Sequence, residues 1–222
     1  MMLKYIIFDM DGVIFDTERM YLECCKPVAE KLGLKDIETV SKKCIGFTRE
    51  ATDNLLREYY GQDAPIDEFN EETKNEFLKR YHLQGMPVKK GAREILTWIS
   101  ENKIPVALAS STGTEIVKRE LEQEGLKQFF HVIVGGDMVN RSKPAPDIFL
   151  KAAELLSADP KECIVIEDSF NGVRAASGAG MQVIMVPDLL QPDDVIRCLA
   201  NEVKGSLLEV LDYFKSLLNA KA

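Results

Sequence analysis

Two carboxylates stand two residues apart in the stretch YIIFDMDGVIFDTE. Tyr5 to Phe8 are apolar residues with high strand propensity, which predicts a strand buried on both faces, as in a parallel sheet. Asp9 and Asp11 follow where this strand runs into a loop. Like charges this close repel each other, and a half-buried carboxylate without a partner costs several kcal/mol. The spacing therefore indicates that a metal ion offsets this cost.

Polar side chains follow the ends of three further predicted strands, where ligand sites form in open parallel sheets. They are hydroxyls after PVALA, a lysine in the stiff segment SKPAPD, and two acids at the end of CIVIED: Ser110, Ser111, Thr112, Lys143, Glu167 and Asp168. Together with the first two carboxylates, they bring acids, a lysine and hydroxyls to one rim of one sheet. This set suits a hard divalent cation such as Mg²⁺, which prefers a few oxygen ligands together with water and phosphate oxygens.

The chemistry that needs this set is phosphoryl transfer through a carboxylate nucleophile. A phosphate monoester repels an attacking carboxylate, so a metal must bridge and screen the two groups. A lysine, a hydroxyl and helix N-terminal amides can bind the remaining phosphate oxygens. A second carboxyl then protonates the leaving oxygen and later deprotonates water. Asp9 and Asp11 can divide these two carboxyl roles between them.

The elements that must position these residues fall into two blocks. After the opening strand, apolar residues recur at three- and four-residue spacing, which predicts a series of helices. From Pro87 onwards, helices alternate with apolar strands, a pattern typical of βαβ units on a parallel sheet. We predict an α/β fold with a Rossmann-like parallel sheet core, residues 1–16 and 87–222, and an inserted helical-bundle cap domain, residues 17–86.

Local signals mark several helix boundaries. Gly33 is a predicted stop for the first helix of the insert, and the last helix of the insert is predicted to begin just after Pro65. Ser206 and Glu209 have capping-box spacing at the start of SLLEVLDYFKSLL, which predicts a closing helix.

Composition and charge exclude several classes of protein. The chain of 222 residues carries a formal charge of -8 and lacks a Lys/Arg-rich stripe, which argues against a nucleic-acid partner. No apolar run approaches transmembrane length, so no membrane partner is expected. The five cysteines are odd in number and lack CxxC spacing, which is typical of reduced, buried thiols. We predict a cytoplasmic monomer that acts on a small molecule.

Four segments, FDMDGVIFDTE, LASST, SKPAPDIF and IEDSFNGVRAA, resemble the four ordered motifs of the haloacid dehalogenase superfamily. The match is greatest with its phosphatase and phosphomutase branch, whose members have a helical cap after the first motif. The resemblance implies that Asp9 is the nucleophile, which forms an aspartyl-phosphate, and that Asp11 is the general acid/base. It also implies that Ser110 and Lys143 bind phosphate.

The same resemblance implies a Mg²⁺ site and a set of substrate contacts. Asp168 would ligate the ion together with the Asp9 side chain and the Asp11 backbone carbonyl, and Glu167 would lie in the first or second metal shell. Residues resembling hinge and cap positions would meet substrate, and we add one further hydroxyl of the second motif to them: Thr17, Glu18, Arg49 and Ser111.

We therefore predict a Mg²⁺-dependent phosphatase that hydrolyses a small phosphorylated metabolite, either a sugar phosphate or a nucleoside monophosphate. A helical cap that closes over the active site would set its specificity. A calcium loop is a poor alternative for the first motif, because Met20 stands where such a loop has its ligating Glu.

Two other functions remain open from the sequence. The first is a β-phosphoglucomutase-type isomerase. Such enzymes typically have a His four residues after the Thr of the first motif, whereas this chain has Tyr21 after Thr17. The second is a non-catalytic phosphate-binding or phospho-Asp signalling module. A catalytically dead module is expected to lose at least one of the motif acids or the lysine, and none is lost here.

Overall fold

The computed structural model describes residues 3–44 and 49–219, which include a six-stranded parallel sheet. The strands run in the order β3-β2-β1-β4-β5-β6, and every neighbouring pair is parallel. Their bounds are β1 Tyr5–Phe8, β2 Val106–Ala109, β3 Val132–Val134, β4 Cys163–Glu167, β5 Gln182–Met185 and β6 Glu202–Val203. The predicted α/β class with a parallel sheet is confirmed.

The described part of the inserted segment contains helices, and further helices separate successive strands of the sheet. Those of the insert are α1 Thr17–Lys31, α2 Ile37–Lys43, α3 Arg49–Tyr60 and α4 Ile66–Gln84. Those that follow are α5 Ala92–Glu101, α6 Thr114–Gln123, α7 Asp147–Leu155, α8 Phe170–Gly178, α9 Asp194–Leu199 and α10 Leu207–Asn219. Within the described ranges, no helix is both long enough and apolar enough to cross a membrane.

The chain separates into two compact units. One consists of Met1–Phe15 and Val88–Ala222, and the other consists of Asp16–Pro87. The first unit holds the sheet, and every helix of the second unit belongs to the insert. The predicted role of the helical unit as a cap domain stays a prediction.

The core of the sheet unit forms because its central strands are apolar on both faces. All residues of β2 and β4 are buried, as expected for a parallel sheet covered by helices. Apolar side chains of α7 and α8, including Phe149 and Val173, pack with strand residues such as Val165 and are fully buried. Burial of each such side chain stabilises the fold by about 1.5–3 kcal/mol. The sheet is therefore a stiff platform for the loops at its edge.

The helical unit has a separate small core in which α1 packs against α4. Its buried members include Val28, Ile37 and Phe69. Gly33 has a positive φ of 72° just after α1, as expected for a glycine that ends a helix, and α4 begins directly after Pro65. Both predicted boundaries are confirmed.

Three short elements are not predicted by the sequence pattern. The seven residues of α2, the six of α9 and the two of β6 are each too short to establish an apolar period. The closing helix was predicted, and Ser206 Oγ accepts a hydrogen bond from the Glu209 amide at 3.3 Å. The Glu209 carboxylate reaches back to the amide of Gly205 at 2.9 Å, one residue before the position that a capping box uses.

Candidate active site

The loops that carry the predicted site residues leave adjacent strands at the middle of the sheet. β1 lies between β2 and β4. The chain forms β2 and β3 on one side of β1 and then crosses to the other side, where it forms β4, β5 and β6. Asp9 follows β1, Ser110 follows β2, and Glu167 is the last residue of β4. The Asp9 amide donates to the Ile166 carbonyl at 3.0 Å, so the sheet hydrogen bonding continues into the site. Ligands bind at such a reversal of strand order in open α/β sheets.

Lys143 connects the first and fourth motifs through its ammonium group. Its Nζ donates to Asp9 Oδ1 in a short hydrogen bond and to Glu167 Oε1 at 2.8 Å. The side chains of Lys143, Asp9 and Glu167 are 7%, 9% and 1% exposed. The ammonium also lies over the Phe149 ring, 4.8 Å from its centroid. The lysine from the loop before α7 is therefore fixed against the carboxylate predicted to be the nucleophile.

Burial and neighbouring charges set the protonation of this cluster. Burial raises the pKa of Asp9, Lys143 acts to lower it, and the negative charges of Glu167 and Asp11 add to the increase. The resulting pKa is about 8. For Lys143, burial acts to lower the pKa, but the carboxylates of Asp9 and Glu167 outweigh it and raise the pKa above its ordinary value. Burial therefore favours the neutral form of Asp9, whereas the neighbouring carboxyl groups keep Lys143 charged.

Glu167 is held by three protein donors. Besides Lys143, the Ser169 amide donates to its Oε2 at 2.7 Å and the Ser169 hydroxyl donates to the same oxygen at 2.9 Å. Gly172 makes room for the carboxylate, because a Cβ at that position would overlap it. Three of about four acceptor positions of the carboxylate are therefore in use.

An acidic cluster that could hold a metal ion lies at the same edge. Asp9, Glu167 and Asp168 each present an oxygen within 4.8 Å of the others. Asp168 packs against Gly12, whose φ of +80° and missing side chain leave space for the carboxylate. A Cβ on Gly12 would lie 2.6 Å from Asp168 Cγ, closer than packed atoms approach. The tight turn after β1 thus fixes where Asp168 can lie.

Asp11 faces the hydroxyls of the second motif. Its Oδ2 lies 3.4 Å from both Ser110 Oγ and Thr112 Oγ1, and each hydroxyl is placed to donate. Ser110 is fully buried, and its Oγ accepts a hydrogen bond from the Thr112 amide at 3.1 Å. Ser111 lies in the same loop and is exposed. The structure therefore brings Ser110 next to the predicted general acid/base.

The remaining predicted substrate residues belong to the helical unit. Thr17 and Glu18 open α1, and Arg49 opens α3. Residues 46–48 of the GFTRE segment lie outside the described residues, as does the side chain of Arg49. Their substrate contacts stay predictions.

Sequence reasoning did not assign roles to four residues that shape this site. In the sequence, Thr112 is one of three consecutive hydroxyl residues, and Ser169 and Gly172 are parts of the fourth motif without a predicted role. Gly12 belongs to the first motif, but its close approach to Asp168 depends on a strand that is distant in sequence. A serine that directly follows an acidic pair and opens a helix was the one signal available, since serine is a preferred N-cap residue.

Residues 6–186 match the family model of the haloacid dehalogenase-like hydrolases. It is 37% identical to a candidate pseudouridine-5′-phosphatase of Drosophila melanogaster, over 83% of this chain and 81% of the relative. It is 34% identical to a phosphorylated carbohydrates phosphatase of Thermotoga maritima, over 82% of this chain and 84% of the relative.

A longer relative is a bifunctional riboflavin kinase/FMN phosphatase of Arabidopsis thaliana, 35% identical over 92% of this chain. The chain spans 54% of that protein. Among solved structures, a candidate β-phosphoglucomutase of Thermotoga maritima superposes with a TM-score of 0.80 at 30% identity, covering 96% of this chain and 99% of the other. The names of these proteins agree with the predicted class of reaction.

Proposed function

Because the chain belongs to the haloacid dehalogenase-like hydrolases, we propose that it is a Mg²⁺-dependent phosphatase of a small phosphorylated metabolite. The observation that carries this proposal is the buried contact of Lys143 with Asp9 beside Glu167 and Asp168. A cation, a nucleophilic carboxylate and a further acidic pair are what attack on a phosphate monoester requires.

The acidic cluster fits a divalent cation. Three carboxylates with close oxygens lie beside one ammonium, which leaves two negative charges when all of them are ionised. Mg²⁺ prefers oxygen ligands of this kind. We expect the Asp9 and Asp168 carboxylates and the Asp11 carbonyl to hold the ion. Glu167 accepts a hydrogen bond from Lys143 and positions that ammonium group. When bound, the ion would screen the negative charge of the phosphate from the attacking carboxylate.

The protein groups divide the steps of the reaction among them. A carboxylate oxygen of Asp9 attacks phosphorus, and the bond to the leaving oxygen breaks as Asp11 gives that oxygen a proton. Lys143 and Ser110 donate hydrogen bonds to the phosphate oxygens. In the second half-reaction, Asp11 takes a proton from water, which attacks the phosphorus of the aspartyl-phosphate and releases inorganic phosphate. Asp9 and Asp11 return to their starting states, so the protons balance.

The relatives support a sugar phosphate or a nucleoside monophosphate as substrate, since their names include phosphorylated carbohydrates and pseudouridine 5′-phosphate. We propose that Thr17, Glu18, Arg49 and Ser111 contact the part of the substrate beyond the phosphate, and that the helical unit determines the choice of substrate. A cytoplasmic monomer stays a prediction from the sequence.

The test is release of inorganic phosphate from sugar, nucleoside and polyol monophosphates, with Mg²⁺ and with EDTA. We expect metal-dependent release from a few of them, and we expect Asp9→Asn to reduce it at least a thousandfold because the nucleophile is lost. Release by the Asp9→Asn variant at the wild-type rate would exclude Asp9 as the nucleophile.

A phosphomutase is the second candidate, favoured by the similarity to the candidate β-phosphoglucomutase. Incubation of β-glucose 1-phosphate with a bisphosphate primer distinguishes the two functions. Formation of glucose 6-phosphate without net phosphate release would establish the mutase despite Tyr21. If neither reaction occurs, the non-catalytic phosphate-binding module becomes the better interpretation.

A further inference from the structure

We propose that Ser169 is a positioning residue that fixes Lys143 through Glu167, an inference that rests on the proposed phosphatase function. Ser169 directly follows the acidic pair of the fourth motif and is the N-cap residue of α8. The contacts of its side chain link this helix terminus to the buried lysine, although Ser169 itself does not contact Lys143 in the described structure.

The Ser169 hydroxyl makes two hydrogen bonds with different roles. It accepts from the Gly172 amide at 3.0 Å, which is the usual bond of an N-cap residue. It donates to Glu167 Oε2 at 2.9 Å, and the Ser169 amide donates to the same oxygen at 2.7 Å. The first bond stabilises the helix, whereas the donated bonds hold one oxygen of a carboxylate that is 1% exposed.

The other oxygen of Glu167 is the one that accepts from Lys143, at 2.8 Å. A carboxylate is planar, so fixing Oε2 also fixes the direction in which Oε1 faces the ammonium. Gly172 completes this support, because a side chain there would overlap the Glu167 carboxylate. The position of Lys143 between Asp9 and Glu167 therefore depends on the first turn of α8.

Loss of the hydroxyl is expected to act on the reaction more than on binding. Lys143 keeps its contact with Asp9 and its charge in such a variant, so attraction of the phosphate persists. The Ser169 amide still donates to Oε2, but Glu167 loses one of its two donors on that oxygen, so the orientation of Nζ toward charge that develops in the transition state is less well fixed. Loss of a partner behind a site residue typically costs about tenfold or more. We expect kcat to fall about tenfold and KM to change less than twofold.

Three substitutions separate positioning from helix capping. Ser169→Ala removes both hydrogen bonds of the hydroxyl. Ser169→Gly also removes the donor, but glycine at an N-cap costs only a few tenths of a kcal/mol, so this variant retains more of the helix stability. Ser169→Thr keeps a hydroxyl that can both donate and accept. Ser177→Ala, on the same helix and outside the site, is the matched control.

The experiment measures kcat, KM and Tm of these variants with the best substrate from the phosphate-release panel. We expect Ser169→Ala and Ser169→Gly to have equally low kcat despite different Tm values, Ser169→Thr to recover to within about threefold of wild type, and Ser177→Ala to match wild type. Unchanged kcat in Ser169→Ala, or losses of kcat that follow Tm, would overturn the proposal.

The Asp9→Asn variant, assayed in parallel, separates this inference from the proposed function. An inactive Asp9→Asn protein together with fully active Ser169 variants would refute only the positioning role. Phosphate release that persists in Asp9→Asn, or that is absent from wild type, would refute the phosphatase mechanism itself.

Discussion

Gly12→Ala is the substitution for which the structure gives the most specific expectation. Gly12 has a φ of +80°, and a Cβ there would lie 2.6 Å from Asp168 Cγ and closer still to Oδ2. Ordinary contact begins at 3.4 Å, so the carboxylate would have to move by at least 0.8 Å. The three acidic oxygens lie within 4.8 Å of one another, so a shift of this size takes Asp168 away from a shared cation.

The expected loss is in metal affinity and much less in folding. We expect the Mg²⁺ concentration for half-maximal activity to rise about 10- to 100-fold, the range seen when support of a metal ligand is lost. The left-handed backbone costs alanine about 1–2 kcal/mol. Domains of this kind are stable by about 5–15 kcal/mol, so the variant should remain folded.

The assay is a Mg²⁺ titration of phosphate release, with the metal-induced increase in Tm as a second readout. Gly180→Ala is the matched control, because Gly180 has a φ of +73° and no atom within 4 Å of the position that a Cβ would take. It should carry the same backbone strain and keep the wild-type Mg²⁺ dependence. A Gly12→Ala variant with wild-type half-saturation would refute Asp168 as a metal ligand at this edge.

Two further predictions concern other residues of the sheet unit. Burial, with a contribution from Asp11, raises the pKa of Glu120 on α6 to about 7, so the folded state holds a proton that the unfolded state releases near pH 4.5. The contribution of Glu120 to stability therefore falls as pH rises from 4.5 to 7, by about 1–2 kcal/mol after allowance for solvent screening. Urea unfolding should show Glu120→Gln gaining this much over wild type between pH 4.5 and 8, and an equal difference at both pH values would contradict it. Thr112→Val removes one of the two hydroxyls at Asp11 Oδ2. Steady-state kinetics should show kcat about 2- to 10-fold lower, the equivalent of one hydrogen bond, whereas wild-type kcat would contradict a role for this contact.

Much of the fold was determined by local sequence. Apolar runs such as YIIF and CIVIE predict strands buried on both faces, because a parallel sheet covered by helices excludes water from both sides. The alternation of these runs with amphipathic helices predicts the α/β class. Elements as short as α2, α9 and β6 could not be predicted, since their few residues do not complete an apolar period and their positions depend on tertiary packing.

For the candidate site, the sequence predicts the residue types and their location at the ends of strands. Asp9, Ser110, Glu167 and Asp168 each follow or end a predicted strand, and parallel strands bring such ends to one edge. Lys143 was expected there from its motif, although it lies in a loop. The order of the strands, which places β1 between β2 and β4, is a tertiary property that no local pattern contains.

Only the tertiary structure determined which atoms meet. Lys143 is shared between Asp9 and Glu167, and Glu167 is held by Ser169, because the loop before α7 and the first turn of α8 converge at the end of β4. The carboxylate that occupies the space at Gly12 is more than 150 residues away in sequence, and the one that occupies the space at Gly172 is five residues away. The reason for a glycine at either position is therefore visible only in three dimensions. Sequence can name groups capable of the chemistry, but their distances and protonation depend on burial and on neighbours from distant segments.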